Sequence, residues 1–164
     1  MVATPLLLLA AILQSTVINA FVGLTARPIL VLVMVIAWSM VPGRGVQGPV
    51  WGLVGGLALD LFSGGPFGAQ AIALLAASIP IALIESRLWR GNALFVVGAA
   101  GLGSVIFYLI YLLLIMFTGI SVDWSAAINN VVLPSTGANM LLSMPAYWLA
   151  RWINAQLYPP DLEV

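Results

Sequence analysis

The stretch that decides the fold is GLVGGLALDLFSGGPFGAQAIALL, residues 52–75, in which one carboxylate interrupts a run of apolar and small residues. Apolar residues flank Asp60 on both sides, and Gly64, Gly65 and Pro66 follow it closely. This pattern predicts two apolar helices joined by a tight turn, because glycine and proline end helices and supply turn conformations. A carboxylate within an apolar helix must find polar partners inside the protein.

The composition of the whole chain predicts that these helices lie in a membrane. Of 164 residues, 63% are hydrophobic and 6% are charged, and the mean hydropathy is +1.15. Soluble domains carry about 25% charged residues, so five basic and five acidic side chains cannot cover a water-soluble surface. The net charge is zero, which gives no basic surface for nucleic acid. We therefore expect an integral membrane protein.

Missing residue types exclude much catalytic chemistry. The chain has no cysteine and no histidine, and its five basic residues are all arginine. Disulfides, thiol nucleophiles, Cys/His metal sites, imidazole bases and lysine Schiff bases are thereby ruled out. We expect a protein without enzyme activity, cofactor or metal ion.

Six apolar segments are candidates for membrane spans, each of which needs about 20 mostly apolar residues. They cover residues 4–23, 28–41, 50–62, 67–84, 93–119 and 131–152, and the third is extended at its start by Gly48 and Pro49. Pro28 is predicted to open the second helix, and residues 120–130 are predicted to form a short interfacial segment. With the N-terminus in the cytoplasm, four arginines fall inside and only Arg27 falls outside, as the positive-inside bias requires.

The predicted architecture is an all-α membrane protein with six transmembrane helices and short loops. Residues 1–155 form a single transmembrane domain, and residues 156–164 form a short cytoplasmic tail. Five of the six tryptophans cluster near the predicted inner boundary and Trp124 lies at the outer one, as in the aromatic belts of membrane proteins. Both termini are therefore expected in the cytoplasm.

Small residues form a ridge along the third predicted helix. Gly48, Gly52, Gly56, Asp60 and Gly64 recur at intervals of four residues, which places them along one side of a helix. Such a ridge lets another helix approach closely. Two interpretations stay open, namely tight internal packing and a docking groove for a partner's transmembrane helix. The same two apply to three glycines of the fifth segment: Gly98, Gly101 and Gly103.

Asp60 lies near the C-terminus of its helix, where the helix macrodipole disfavours an anion. The backbone amides at the start of the next helix can hold its carboxylate, as helix N-termini hold anions. Arg27 is the arginine predicted on the same side, which makes an Arg27–Asp60 ion pair possible. We expect Asp60 to pin the turn between the third and fourth helices. A proton or ion site and a partner contact remain alternatives.

Other polar residues within the spans are expected to hydrogen-bond between helices. They are Gln14, Ser15 and Asn19 in the first span and Asn139 and Ser143 in the sixth. Each such bond contributes about 0.6 kcal/mol on average in a membrane. The sequence contains too few of these groups to build a continuous polar path.

Glu85, Arg87 and Arg90 follow the fourth span and are expected to form a solvated cytoplasmic edge. A contact surface for a cytoplasmic protein is the alternative. The predicted topology puts Glu85 and Asp60 in opposite leaflets, about 20–30 Å apart across a hydrocarbon core of about 30 Å. Two carboxylates at that distance cannot share a proton, which argues against an intramembrane enzyme.

The segments LQSTVINAF, RPILVLVMVIAW and GLVGGLALDLFSGGPFGAQAIALL together resemble the rod shape-determining protein MreD family. The resemblance covers about residues 5–155. Family members often carry an aspartate after the proline that opens the second span, where this chain has Ile29. The most specific part is the pattern G-x-x-x-G-x-x-x-D-L-x-S-G-x-P-x-G, formed here by Gly52, Gly56, Asp60, Leu61, Ser63, Gly64, Pro66 and Gly68.

The resemblance implies a non-enzymatic scaffold subunit of the bacterial cell-elongation (rod) complex in the inner (plasma) membrane. Relatives associate with MreC, which has one membrane helix and a large periplasmic region. Through MreC they link MreB filaments to RodA and a class B penicillin-binding protein, which build lateral peptidoglycan. The resemblance thus implies a role in cell shape.

The fold implied by the resemblance is similar to the substrate-binding subunits of energy-coupling-factor transporters. That similarity leaves a second function open, a small-molecule (vitamin-like) substrate-binding membrane subunit of a transporter. A ligand pocket needs converging polar groups. At the predicted outer mouth these would be Arg27, Asp60, Asn129 and Asn130.

Overall fold

The computed structural model describes Gln14, residues 28–88 and residues 93–157, and the side chains of residues 84–88 and 93 lie outside this description. The regular structure of the described residues is helical throughout, which confirms the predicted all-α class. The helices are α1 Leu30–Ser39, α2 Gln47–Phe62, α3 Ala69–Leu88, α4 Ala93–Phe117, α5 Trp124–Ala127 and α6 Leu133–Leu157, with a π-helical turn over Ile128–Val132.

Helix α1 lies at the centre of the bundle and packs against α2, α3, α4 and α6. Its sequence LVLVMVIAWS carries no charge, and seven of its ten residues are buried. A helix that is apolar on all sides is expected to be buried on all sides. At about 1.5 Å per residue α1 is about 15 Å long, and its first turn lies inside the bundle, since Val31, Leu32 and Val33 are buried. The helix begins at Leu30, and the prediction that Pro28 opens it was wrong by two residues.

Helices α2 and α3 form an antiparallel pair joined by the turn 63–68. Gly68 has φ of +90°, a conformation that glycine adopts without steric cost. The first bonds of α3 follow at once, as the Ala69 amide donates to the Pro66 carbonyl at 3.2 Å. Helix α3 therefore begins two residues later than predicted. Helix α2 begins at Gln47, one residue before the predicted extension over Gly48 and Pro49, because Pro49 is tolerated in a first helical turn.

Residues 124–130 of the predicted interfacial segment are helical, and helix α5 passes through the π-helical turn directly into α6. The predicted start of the sixth span at residue 131 therefore falls inside a continuous helical stretch. The Asp123 side chain caps α5 by accepting from the Ala126 amide at 3.1 Å. The π-helical turn lies just before Pro134, whose ring would clash with the residue 130 carbonyl in a regular α-helix.

The bundle has two chemically different ends. Arg44 and Arg151 lie at the end formed by residues 40–46 and the last turns of α6, where the Arg44 Nε donates to Asn154 Oδ1 at 2.9 Å. We call this the arginine end. Asp60 and Asp123 lie at the opposite end, which the turn 63–68 and residues 118–123 form. We call it the aspartate end.

Among the described residues, α4 is the helix that is long and apolar enough to cross a bilayer, over Leu94–Phe117. Two shorter stretches, Leu30–Ser39 and Ala69–Leu83, are apolar but below that length. The first predicted span lies outside the described residues apart from Gln14, which is helical. The predicted tail starts within α6, and its residues 158–164 also lie outside the description.

Candidate functional site

The Asp60 carboxylate is held by backbone amides at the start of α3. Oδ2 accepts from the Gly68 amide at 3.0 Å and from the Ala71 amide at 3.1 Å. Oδ1 accepts from the Gln70 amide at 3.0 Å. The predicted amide contacts are therefore present, and only 4% of Asp60 is exposed. The first amides of a helix have no partners within it, so one carboxylate satisfies three of them and lies at the favourable end of the α3 dipole.

The glycines of α2 lie where α3 approaches most closely. A Cβ at Gly56 would overlap the backbone of Ala71 and lie 2.9 Å from the Gln70 carbonyl oxygen. A Cβ at Gly52 would lie 2.9 Å from Ser78 Oγ. Real Cβ atoms do not approach other atoms this closely, so these glycines bring two helix backbones into contact.

The ridge continues at Gly48, where a Cβ would overlap the Ser39 side chain of α1. Its predicted member Gly64 lies beyond the end of α2, in the exposed turn, with open space around it. The ridge thus ends at Asp60. Because its glycines face α1 and α3, the structure favours internal packing and leaves no groove along this ridge for a partner's helix.

The glycines of α4 point in different directions. A Cβ at Gly103 would lie 2.5 Å from Ile36 Cδ1, so Gly103 faces α1. A Cβ at Gly101 would lie 3.2 Å from Met140 Sδ on α6. Gly98 is exposed, with open space where a Cβ would be. Only Gly98 of these three therefore leaves room for a partner.

A second group of buried polar residues surrounds the first turn of α1. Asn139 Oδ1 accepts from the Ile29 amide at 2.9 Å, and its Nδ2 donates to Ser104 Oγ at 3.0 Å. Gln14 Oε1 accepts from the Val31 amide at 3.3 Å. Both Asn139 and Ser104 are fully buried. Side chains from α6 and the Gln14 segment thus satisfy buried amides at the start of α1, and Ser104 of α4 holds the Asn139 side chain in place.

Some of the hydrogen bonds predicted between helices are present and one is not. Asn139 and Gln14 bond between segments, whereas Ser143 donates to the Met140 carbonyl of its own helix at 2.6 Å. Ser15 and Asn19 lie outside the described residues.

Two predicted contacts fall wholly or partly outside the description. Arg27 and Arg90 are not among the described residues, and Glu85 and Arg87 are described only as backbone of α3. The Arg27–Asp60 ion pair and the cytoplasmic contact therefore stay predictions. From Ala71, which touches Asp60, to Glu85 is about 21 Å along α3 at 1.5 Å per residue.

Tyr111 is a neighbour of the turn that the sequence did not reveal. A Cβ at Gly65 would lie 3.2 Å from the Tyr111 hydroxyl, and the Tyr111 ring stacks on Phe107 with centroids 5.8 Å apart. Asn129 and Asn130, assigned to a possible ligand mouth, are exposed in the π-helical turn. Asn129 Nδ2 donates to the Ser125 carbonyl at 3.0 Å.

The Asp60 arrangement is suited to holding two helices together. Its three amide donors are fixed backbone groups, and the described residues contain no group of three or more His, Cys, Asp or Glu side chains that could hold a metal ion. Comparisons of this chain with known protein families, with curated proteins and with solved structures gave no match.

Proposed function

We propose that this chain is a non-enzymatic integral membrane scaffold subunit of the bacterial cell-elongation complex, with MreC as its direct partner. Its site is the inner (plasma) membrane, where it spans the bilayer six times with both termini in the cytoplasm. Through MreC it acts with MreB, RodA and a class B penicillin-binding protein in lateral peptidoglycan synthesis and cell shape.

The observation that carries the membrane assignment is that apolar side chains lie on the outside of the bundle and polar side chains lie inside it. Large apolar side chains point outward, with 80% of Leu141, 72% of Leu94 and 71% of Trp148 exposed, while Asp60 and Asn139 are buried. Soluble monomers rarely expose large continuous apolar surfaces. In lipid, by contrast, polar groups must be satisfied within the protein. The arrangement supports a lipid environment around the helices.

The distribution of charge supports the orientation. The described arginines, Arg44 and Arg151, share one end of the bundle, and the described acidic side chains, Asp60 and Asp123, share the other. Arginine is enriched in the cytoplasmic segments of membrane proteins. The arginine end therefore faces the cytoplasm in the proposed topology.

The scaffold role is supported by the glycine–aspartate pattern of the sequence and by the contacts that its residues make in the bundle. Gly52 and Gly56 bring α2 against α3, and Asp60 fastens the turn that connects them. The pattern that resembles the MreD family thus builds a closely packed helix pair. A bundle with outward apolar faces offers helix surface on which a partner's membrane helix can pack.

Co-purification tests this proposal. The chain and MreC are co-expressed, membranes are separated from the soluble fraction, and the chain is captured in mild detergent. We expect the chain in the membrane fraction with MreC bound to it. Recovery in the soluble fraction, or capture without MreC, would contradict the proposal. Saturable binding of a vitamin-sized ligand would instead favour the transporter subunit.

Two exposed glycines allow the partner face to be located without disturbing the fold. Gly98 on α4 and Gly137 on α6 both have open space where a side chain would lie. Gly98→Leu and Gly137→Leu should therefore fold normally while filling any site of close helix approach. Ala126→Leu, at an exposed residue of α5, is the matched control. Loss of MreC with one leucine variant alone would place the partner on that helix.

A further inference from the structure

The last turns of α6 present an exposed cation between two exposed indoles. Trp148, Arg151 and Trp152 are spaced three and four residues apart, which places them on one side of the helix. Trp148 is 71% exposed and Trp152 is 62% exposed, and Arg151 is exposed as well. The Arg151 guanidinium carbon lies 5.9 Å from the centre of the Tyr147 ring. Because Tyr147 is buried, this contact gives the guanidinium a fixed support.

A second guanidinium reaches the same corner from a distant part of the chain. Arg44, in the loop between α1 and α2, donates through Nε to Asn154 Oδ1 at 2.9 Å. Asn154 follows Arg151 by three residues, which is about 4.5 Å along the helix axis. The Arg44 backbone is itself fixed, since its amide donates to the Val41 carbonyl at 2.9 Å. The fold therefore brings two positive charges together at one corner.

An apolar strip on α6 leads from this corner toward the middle of the bundle. Leu141 is 80% exposed and Leu149 is 41% exposed, and Pro145 between them is exposed as well. A ligand with a negative head and long apolar tails would match both parts of this surface. A soluble phosphate compound would match only the charged part.

We propose that the corner formed by Arg44, Trp148, Arg151 and Trp152 binds the phosphodiester headgroup of an anionic phospholipid. Arginine recognises phosphate oxygens through its planar fork of N–H donors, and tryptophan lies at the level of lipid headgroups. A zwitterionic lipid carries no net charge to match the paired arginines. This inference rests on the membrane location in the proposed function, because the corner must lie at a bilayer surface.

Native mass spectrometry of the detergent-purified chain tests the inference with two lipids, phosphatidylglycerol and phosphatidylcholine. We expect the wild type to prefer phosphatidylglycerol. One arginine near an anionic surface corresponds to about a fivefold change in binding, so Arg151→Gln should lower the preference about fivefold and the Arg44→Gln, Arg151→Gln double variant about 25-fold. Arg151→Lys keeps the charge but loses the planar fork of donors, so its preference should lie between those of the wild type and Arg151→Gln. Asn154→Ala removes the acceptor that positions Arg44 but keeps both charges, so it should lower the preference by less than Arg44→Gln.

A salt titration of the wild type makes the test independent of variant folding. The preference for phosphatidylglycerol should fall as salt rises, because salt screens exposed charges. The lipid inference would be overturned if the membrane-extracted wild type showed no preference for phosphatidylglycerol, or if Arg151→Gln had the same preference as the wild type. The scaffold proposal would still stand in both cases. A chain found in the soluble fraction would overturn both.

Discussion

Replacing Gly56 by alanine adds one methyl group at the closest approach of α2 and α3. The new Cβ would overlap the Ala71 backbone, with the Ala71 nitrogen at 2.7 Å. Ordinary contacts at such positions exceed about 3.4 Å, so the two helices must separate by about an ångström. The same Ala71 amide donates to Asp60 Oδ2 at 3.1 Å. Separation of the helices by that distance therefore also breaks one of the three hydrogen bonds that hold the carboxylate, because the donor and acceptor then lie beyond hydrogen-bond distance.

The magnitude follows from three contributions to the free energy of unfolding. Overpacking costs about 1–3 kcal/mol. Loss of a hydrogen bond to a charged group costs about 1.5–3 kcal/mol. Alanine is favoured over glycine within a helix by about 0.8–1 kcal/mol, which offsets part of the loss. We expect Gly56→Ala to lower the stability by about 3 kcal/mol in total.

The assay is thermal unfolding of the purified chain in detergent, followed by the fluorescence of its six tryptophans. A loss of about 3 kcal/mol corresponds to a Tm lower by about 6–12 °C for a chain of this size. Gly98→Ala is the matched control, since it makes the same chemical change where open space surrounds the residue. Its Tm should equal or slightly exceed the wild-type value because of helix propensity.

Equal melting temperatures for Gly56→Ala and Gly98→Ala would refute the reasoning. They would show that a methyl group at the helix contact costs no more stability than a methyl group in open space. The double variant Gly56→Ala, Asp60→Asn gives a second check. Both changes weaken the hydrogen bond from the Ala71 amide, so the double variant should lose less stability than the sum of the two single losses. Additive losses would show that the glycine contact and the carboxylate act independently.

Three further predictions concern other fixed points of the bundle, and each is measured by the same melting assay. Asp60→Asn turns one acceptor oxygen into a donor facing amide donors, so we expect a loss of about 1.5–3 kcal/mol; a Tm equal to wild type would contradict the pinning of the turn. Asn139→Leu leaves the Ile29 amide buried without its acceptor and should cost about 1–3 kcal/mol, whereas an unchanged Tm would mean that this amide finds another partner. Gly43 has φ of +79° and no atom within 4 Å of its Cβ position, so Gly43→Ala should cost about 1–2 kcal/mol through backbone strain alone, and a raised Tm would exclude a left-handed conformation there.

The contacts of Asp60 could be predicted from the sequence because they are local. The carboxylate and its most distant amide donor are separated by 11 residues, and a tight turn after Asp60 necessarily brings the start of the next helix beside it. The predicted ridge wrongly included Gly64 as its last member. Gly64 keeps the four-residue spacing in the sequence, but α2 ends at Phe62, and spacing has no meaning once the helix has ended.

The contacts of Asn139 show the limit of such reasoning. Its role in hydrogen bonding between helices was predicted, but its partner was not, since Ile29 lies 110 residues away. The pairing of Arg44 with Asn154 spans the same separation. No local pattern marks such pairs, because they depend on how the helices pack around α1. Whether a glycine faces a neighbouring helix or lies exposed likewise depends on that packing.

The sequence alone determined that the chain forms apolar helices, that a tight turn follows Asp60 and that the carboxylate is held by amides of that turn. It also excluded chemistry that needs cysteine, histidine or lysine. The tertiary structure decided that the glycine ridge faces inward, that the first turn of α1 is buried and that two arginines meet at one corner. Helix and turn propensities act over a few residues, whereas the choice of neighbours sums many weak contacts over the whole bundle.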